Sequence, residues 1–207
     1  MINHNPPNAP GTTSGSLLFR LKTPDEAAWE RFVDVYGPLV MHWIRRRCEA
    51  CGLPTDRRDD VVQDVFLSVR QYIGNFERQR TGSFRKWLRK IVNSRVIDVS
   101  RNSKQKERTF SETELDVLHK IPDPSIDETE RSREREILFQ SIIAVVAKDF
   151  GPATRKIMEE TMIGDRPDSE IAAALGMTEN AVRQTRQRIK KRIRDEFGDM
   201  MDEEPSR

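Results

Sequence analysis

The chain has 207 residues, of which 34% are charged and only 7% aromatic, with 36 Lys and Arg against 34 Asp and Glu. Mean hydropathy is −0.71, a profile that suits small helical domains with wide solvated faces better than one large α/β core. No apolar run approaches the length of a membrane span, and Met1 to Gly15 contain no apolar signal core, so a cytoplasmic protein without membrane association is expected.

Taken in order, residues 1–16 lack the pattern of a folded element. Thr23-Pro24-Asp25-Glu26 then has the form of a helix start, with Thr23 as cap, Pro24 in the first turn and Glu26 closing a capping box. That helix should turn Trp29, Phe32 and Val33 inward and stop near Gly37-Pro38. A second should follow with Leu39, Val40, Trp43 and Ile44 as its apolar stripe. Cys48 and Cys51 close it in a Cys-x-x-Cys spacing. With His42 the only nearby extra ligand and no second cysteine pair, packing thiols are the expectation over a metal or redox site.

A third helix, about residues 58–73, gathers Val61, Val62, Val65, Phe66, Val69 and Ile73 on one arc. Asp60, Gln63, Asp64, Leu67 and Gln71 fall on the other. After Phe76 and the loop 77–82, Ser83 caps a fourth helix. Its apolar face holds Phe84, Trp87, Leu88, Ile91, Val92 and Val99, and its outer face Lys86, Arg89, Lys90 and Asn93. Trp87 belongs to the apolar face by periodicity. Arg95 and Asp98 fall near that face, where Asp98 can pair with Arg95 or with Arg101.

Periodicity fades across residues 103–131, which are expected to be a flexible linker. A helix with Ile137, Leu138, Ile142, Val145 and Val146 follows, then one with Ile157, Met158, Thr161 and Met162 that ends at Gly164. From Pro167 to Arg183 the sequence has the grammar of a helix-turn-helix. Ile171, Ala172 and Leu175 form a thin apolar face, Gly176 supplies the left-handed turn and Thr178 caps the second helix. On that helix Val182, Ile189 and Ile193 point inward. Asn180, Arg183, Gln184, Gln187, Arg188 and Lys191 face outward, and Arg, Asn and Gln are the side chains that can contact guanine and adenine edges bidentately. Residues 198–207 form an acidic tail. The fold class expected is all-α: two small helical domains, 17–102 and 132–197, the second containing the helix-turn-helix.

The run Asp59 to Phe66, then Phe76, Gly82 to Leu88, Asn93 and Asp98, together with the helix-turn-helix, resembles the sigma-70 family of RNA polymerase sigma factors. The closest likeness is to its small extracytoplasmic-function (ECF) group. The resemblance implies a promoter −10 and core-binding domain (region 2) over 17–102 and a −35 domain (region 4) over 132–197. It implies core RNA polymerase as partner, through the β′ clamp helices and the β flap, with Asp60, Gln63, Asp64, Leu67 and Gln71 as the clamp contact. It implies promoter DNA as the second partner. Phe76, Arg78, Arg80, Lys86, Arg89, Lys90 and Asn93 would serve the melted −10 strand, and the outward stripe of the last helix the −35 duplex. Family members are often held by an anti-sigma factor, so such a partner is a further expectation.

Two rivals compete with that reading. A helix-turn-helix regulator that never joins polymerase explains only the second domain. A nuclease could use Asp59, Asp60 and Asp64 as metal ligands. Yet no further acid or His visibly converges on them, and there is no phosphate-binding Gly loop. No enzyme activity, cofactor or metal is expected.

Overall fold

The structure is a computed structural model and describes residues 16–52, 54–77, 83–102, 127–164 and 166–200. Among these there are eight α-helices and no strand: α1 (Leu17–Leu21), α2 (Glu26–Cys51), α3 (Arg58–Tyr72), α4 (Ser83–Asn102), α5 (Glu128–Ala147), α6 (Pro152–Met158), α7 (Asp168–Leu175) and α8 (Glu179–Phe197). The all-α expectation is met. No helix among the described residues is long and apolar enough to cross a membrane.

The start of α2 differs in detail from expectation. Asp25, not Thr23, is the cap: its carboxylate accepts from the Ala28 N–H at 2.9 Å, while the Thr23 hydroxyl donates back to the Arg20 carbonyl and closes α1. The Arg20 guanidinium beside Asp25, 2.7 Å away, holds that carboxyl below its ordinary value, helped by the Ala28 N–H.

The stop expected at Gly37-Pro38 is absent, and α2 runs through Pro38 without a break. Proline inside a helix costs about 3 kcal/mol. Here Phe32, Val35, Tyr36, Leu39, Val40, Trp43 and Ile44 are all buried, before and after the proline. Each such side chain contributes about 1.5–3 kcal/mol on burial, so a straight continuation that buries both stripes wins. Pro38 itself is exposed, on the side where a loosened backbone carbonyl meets water.

An aromatic cluster joins α2 to α4. Phe32 and Tyr36 stack at 5.2 Å, Phe84 meets both edge-on, and Phe76 packs against Phe84 and Trp87. Trp87 lies partly buried against this core, on the side its periodicity indicates. Arg95 chooses Asp98, at 3.0 Å, and also donates to the Ser68 hydroxyl at 2.9 Å, tying α4 to α3. Cys48 is buried and Cys51 exposed, both free thiols.

The rear helices start earlier than periodicity indicates. Asp127 caps α5 through the Glu130 N–H at 2.8 Å, so helix occupies 128–131, a stretch expected to be linker. Its first turns carry no apolar stripe and are held instead by surface pairs such as Arg135 with Glu128 at 2.8 Å. After α6 one wide turn, Glu159–Ile163, leads to Gly164.

The two halves of the chain share one core. Leu138, Ile142, Ile143, Val145, Val146, Ile189, Phe197 and Met200 join the same apolar cluster as the α1 to α4 residues, whereas Ile157, Ile171, Ala172 and Val182 form a second, smaller one. Helix α5 lies along α2, and the Tyr36 hydroxyl donates to the Met200 carbonyl at 3.1 Å.

Candidate functional site

Three surfaces carry the residues singled out by sequence. The first is the outer stripe of α3. Asp60, Gln63, Leu67 and Gln71 are exposed and Asp64 is half-buried. Leu67 is 65% exposed, one of two large apolar side chains in that state among the described residues. An apolar side chain ringed by carboxylates and amides has the composition of a small protein-contact patch. Burial pushes the Asp64 carboxyl above its ordinary value, with Asp60 adding to the effect and Arg95 opposing it.

The second is the basic side of α4. Lys86 is exposed, and Arg89 and Lys90 are half-buried. Asn93 is 5% and Phe76 6% exposed, so in this arrangement both are packed into the interior. Arg78 and Arg80 lie outside the described residues. Arg89 is not directed to solvent: its guanidinium contacts the Glu134 carboxylate of α5 and lies over the Trp43 ring.

The third is the helix-turn-helix, built as the local signals require. Gly176 sits at φ +63°, the left-handed conformation that lets α7 stop and the chain turn sharply. Thr178 accepts from the Ala181 N–H at 3.2 Å and starts α8. Val182 and Ile189 are fully buried, while Asn180, Arg183, Gln184, Gln187, Arg188 and Lys191 are all exposed. The stripe is loosely self-paired: Arg183 with Glu179 at 2.9 Å, Lys191 with Asp195, and Arg188 against Thr154 and the Phe150 ring. Such exposed pairs are worth less than about 1 kcal/mol, so phosphates and base edges can replace them.

Several residues that organise these surfaces escape sequence reasoning. Arg186 bridges to Asp168 at 2.8 Å, fixing α8 against the start of α7. Between the halves, Arg31 pairs with Glu196 and, at 2.7 Å, with Asp149, while Arg192 joins the same two carboxylates. Burial alone would lower the Arg31 guanidinium, but its bonds to Glu196 and Asp149 raise it overall. Glu134 accepts from Trp43 Nε1 at 2.7 Å, and Glu130 meets both His42 and Arg46. Burial, with the neighbouring Arg133, Arg46 and Arg45, holds His42 below its ordinary value against the pull of Glu134. Its Nε2 lies 2.7 Å from the Glu130 carboxylate. The contacts of Arg31, of Glu134 with Trp43 and of Glu130 with His42 and Arg46 join residues more than eighty positions apart and have no local signature.

The described residues thus present a helical front half with an exposed patch around Leu67, and a rear helix-turn-helix with a basic outward stripe. The chain matches the Sigma-70 region 2 family over residues 32–106. It is an RNA polymerase sigma factor, a non-enzymatic subunit that joins core RNA polymerase for transcription initiation. It is similar to the RNA polymerase sigma factor CnrH of Cupriavidus metallidurans, 27% identical over 153 residues, 71% of this chain and 78% of that protein. It is equally similar to the RNA polymerase sigma factor NccH of Alcaligenes xylosoxydans xylosoxydans, 27% identical over 150 residues with the same coverage. A solved structure of CnrH in complex with the cytosolic domain of CnrY aligns over 86% of this chain and 92% of its own, at 20% identity and a TM-score of 0.35.

Proposed function

We propose that the chain works as a two-element sigma factor of the ECF kind, with region 2 over 17–102 and region 4 over 132–197. The observation that carries the second element is the division of α8, with Val182 and Ile189 at 0% exposure and all six outward polar positions, Asn180, Arg183, Gln184, Gln187, Arg188 and Lys191, in solvent. A positive helix on a capped helix-turn-helix is the electrostatic and geometric footprint of a major-groove reader. Arg183, Gln184, Gln187 and Asn180 read base edges, and Arg188 and Lys191 hold phosphates.

In the same proposal the α3 stripe of Asp60, Gln63, Asp64, Leu67 and Gln71 docks on the β′ clamp helices, and region 4 contacts the β flap. The basic side of α4, through Lys86, Arg89 and Lys90, tracks the melted −10 strand together with Arg78 and Arg80. The protein acts in the cytoplasm, and an anti-sigma factor is a partner to be sought by co-purification.

Run-off transcription with core polymerase on genomic fragments, followed by start-site mapping, tests the whole reading. Start sites preceded by two shared elements are expected. Replacement of Leu67 by Asp should abolish core association and leave binding of upstream duplex intact. Transcription that needs no upstream element, or a Leu67→Asp variant that still joins core, would overturn it.

A further inference from the structure

A cavity of about 350 Å³ opens between the start of α4 and one stripe of α5. None of the residues lining it belongs to the three surfaces described above. Its volume lies in the range of small-molecule pockets, which begins near about 300 Å³. Ser132, Arg135, Phe139 and Ile142 follow one another along α5 at helical spacing, over about 15 Å of helix. The stripe is divided end to end. Its first turn is polar, and Arg85 enters the cavity from α4. Its last turns are apolar, with Leu138 and Ile142 buried and Phe139 half-buried.

The polar end is short of negative charge. Arg85 is 9% exposed. Burial holds its guanidinium below the ordinary arginine value; Tyr36 and Glu134 oppose the shift, and Arg89 and Arg135 add to it. Glu134 is already engaged with Trp43 and Arg89. Glu136, the one carboxylate among the lining residues, is exposed and accepts from Gln140 one turn on at 2.7 Å. Arg135 meets Glu128 at 2.8 Å and donates to the Ser132 hydroxyl at 3.0 Å. A guanidinium carries five N–H donors in a planar fork, so both arginines can serve a further carboxylate beside the contacts they already make.

A ligand that suits both ends must be anionic at one end and apolar along its body. A sugar phosphate would set hydroxyls against Phe139 and Ile142, where they find no hydrogen-bond partner. A neutral apolar molecule would gain nothing from the two cations. We propose that this cavity binds an amphipathic carboxylate of the medium-chain fatty-acid class, its head at Arg85 and Arg135 and its chain along Phe139 and Ile142. The site is independent of how the two promoter elements are read.

Calorimetric titration of the full chain with octanoate tests this, beside 1-octanol and octyltrimethylammonium, which carry the same tail on a neutral and a cationic head. Octanoate should bind saturably, one to one, with a Kd below about 1 mM. Both other amphiphiles should bind at least about fivefold more weakly, since each loses the charge-assisted hydrogen bonds of the head. Arg85 is buried, and its replacement can unfold the chain, so the variants are made at the outer positions of α5. Arg135→Met removes one of the two cations, and Ser132→Trp, at an exposed position, fills the polar end. Each should weaken octanoate at least about fivefold, with circular dichroism showing the helices retained. The proposal is overturned if octanoate shows no saturable binding below about 1 mM. It is equally overturned if either amphiphile binds less than about fivefold more weakly, or if either folded variant loses less than about fivefold.

Discussion

Glu134 offers the sharpest energetic check on how the halves are joined. Its carboxylate is 3% exposed and serves two donors, the Trp43 indole at 2.7 Å and the Arg89 guanidinium, which lies 4.8 Å over the same indole ring. Replacing Glu134 by Ala leaves a buried indole N–H without its acceptor, which costs about 1–3 kcal/mol. It also takes from the Arg89 cation one of the groups it contacts, a loss below the roughly 3–5 kcal/mol of a fully stranded buried charge, because Arg89 keeps other contacts. The Arg89 side chain is 12% exposed and long, so part of the second cost is recovered by reaching water. The expected net loss is about 3 kcal/mol, roughly two orders of magnitude in the folding equilibrium. Glu134→Gln keeps an acceptor for Trp43 and should cost less, about 1–2 kcal/mol. Adding Arg89→Met to Glu134→Ala should cost less than the two single changes summed, because both single changes break the same Glu134–Arg89 contact. Urea unfolding followed by tryptophan fluorescence reads all three, Trp43 being part of the contact. A Glu134→Ala variant within about 0.5 kcal/mol of wild type would show that the carboxylate stays in water and that the reasoning fails.

Gly176→Ala places a Cβ in open space but in a left-handed conformation, so thermal unfolding should report a loss of about 1–2 kcal/mol. Gly74→Ala, equally open and without a positive φ, should lose far less than that. Arg183→Ala and Arg188→Ala should each weaken binding of upstream promoter duplex. A base-contacting Arg costs about 1–3 kcal/mol and relaxes specificity, whereas a phosphate-contacting one mainly flattens the salt dependence; unchanged affinity in both contradicts the assignment of α8. His42 is held below its ordinary value of 6.5 chiefly by burial, so the unfolded chain takes up its proton first. Its contribution to stability is complete above pH 6.5 and is lost as pH falls through the depressed folded value. Urea midpoints between pH 7.5 and 5.5 should therefore fall in wild type and fall less in His42→Gln.

The helices and their faces were legible in the sequence because the signals behind them are local. Val61, Val65 and Val69 on α3, and Val182 and Ile189 on α8, are buried on the side that helical spacing assigns. The turn at Gly176 and the cap at Thr178 follow from backbone sterics and one hydrogen bond three residues away. The same locality explains the errors. Gly37-Pro38 is a stop by local rules, and only the shared burial of Phe32, Tyr36, Leu39 and Trp43 carries α2 through it. Asp25 displaced Thr23 as cap because Arg20, on the preceding helix, holds its carboxylate in place. The start of α5 was hidden because a helix stabilised by surface charge pairs has no apolar period to find.

By itself the sequence determined the class of protein, the order of its helices and the outward stripes of α3 and α8, since each depends on residues within a turn or two of one another. Tertiary structure alone decided that Glu134 would be buried against Trp43 and Arg89, that Arg31 would gather Glu196 and Asp149, and that Asn93 would face inward. In a chain with 36 basic and 34 acidic residues, almost any charge has many acceptable partners. Which one it meets is settled by how the apolar faces of α2 and α5 come together, and no spacing along the chain encodes that.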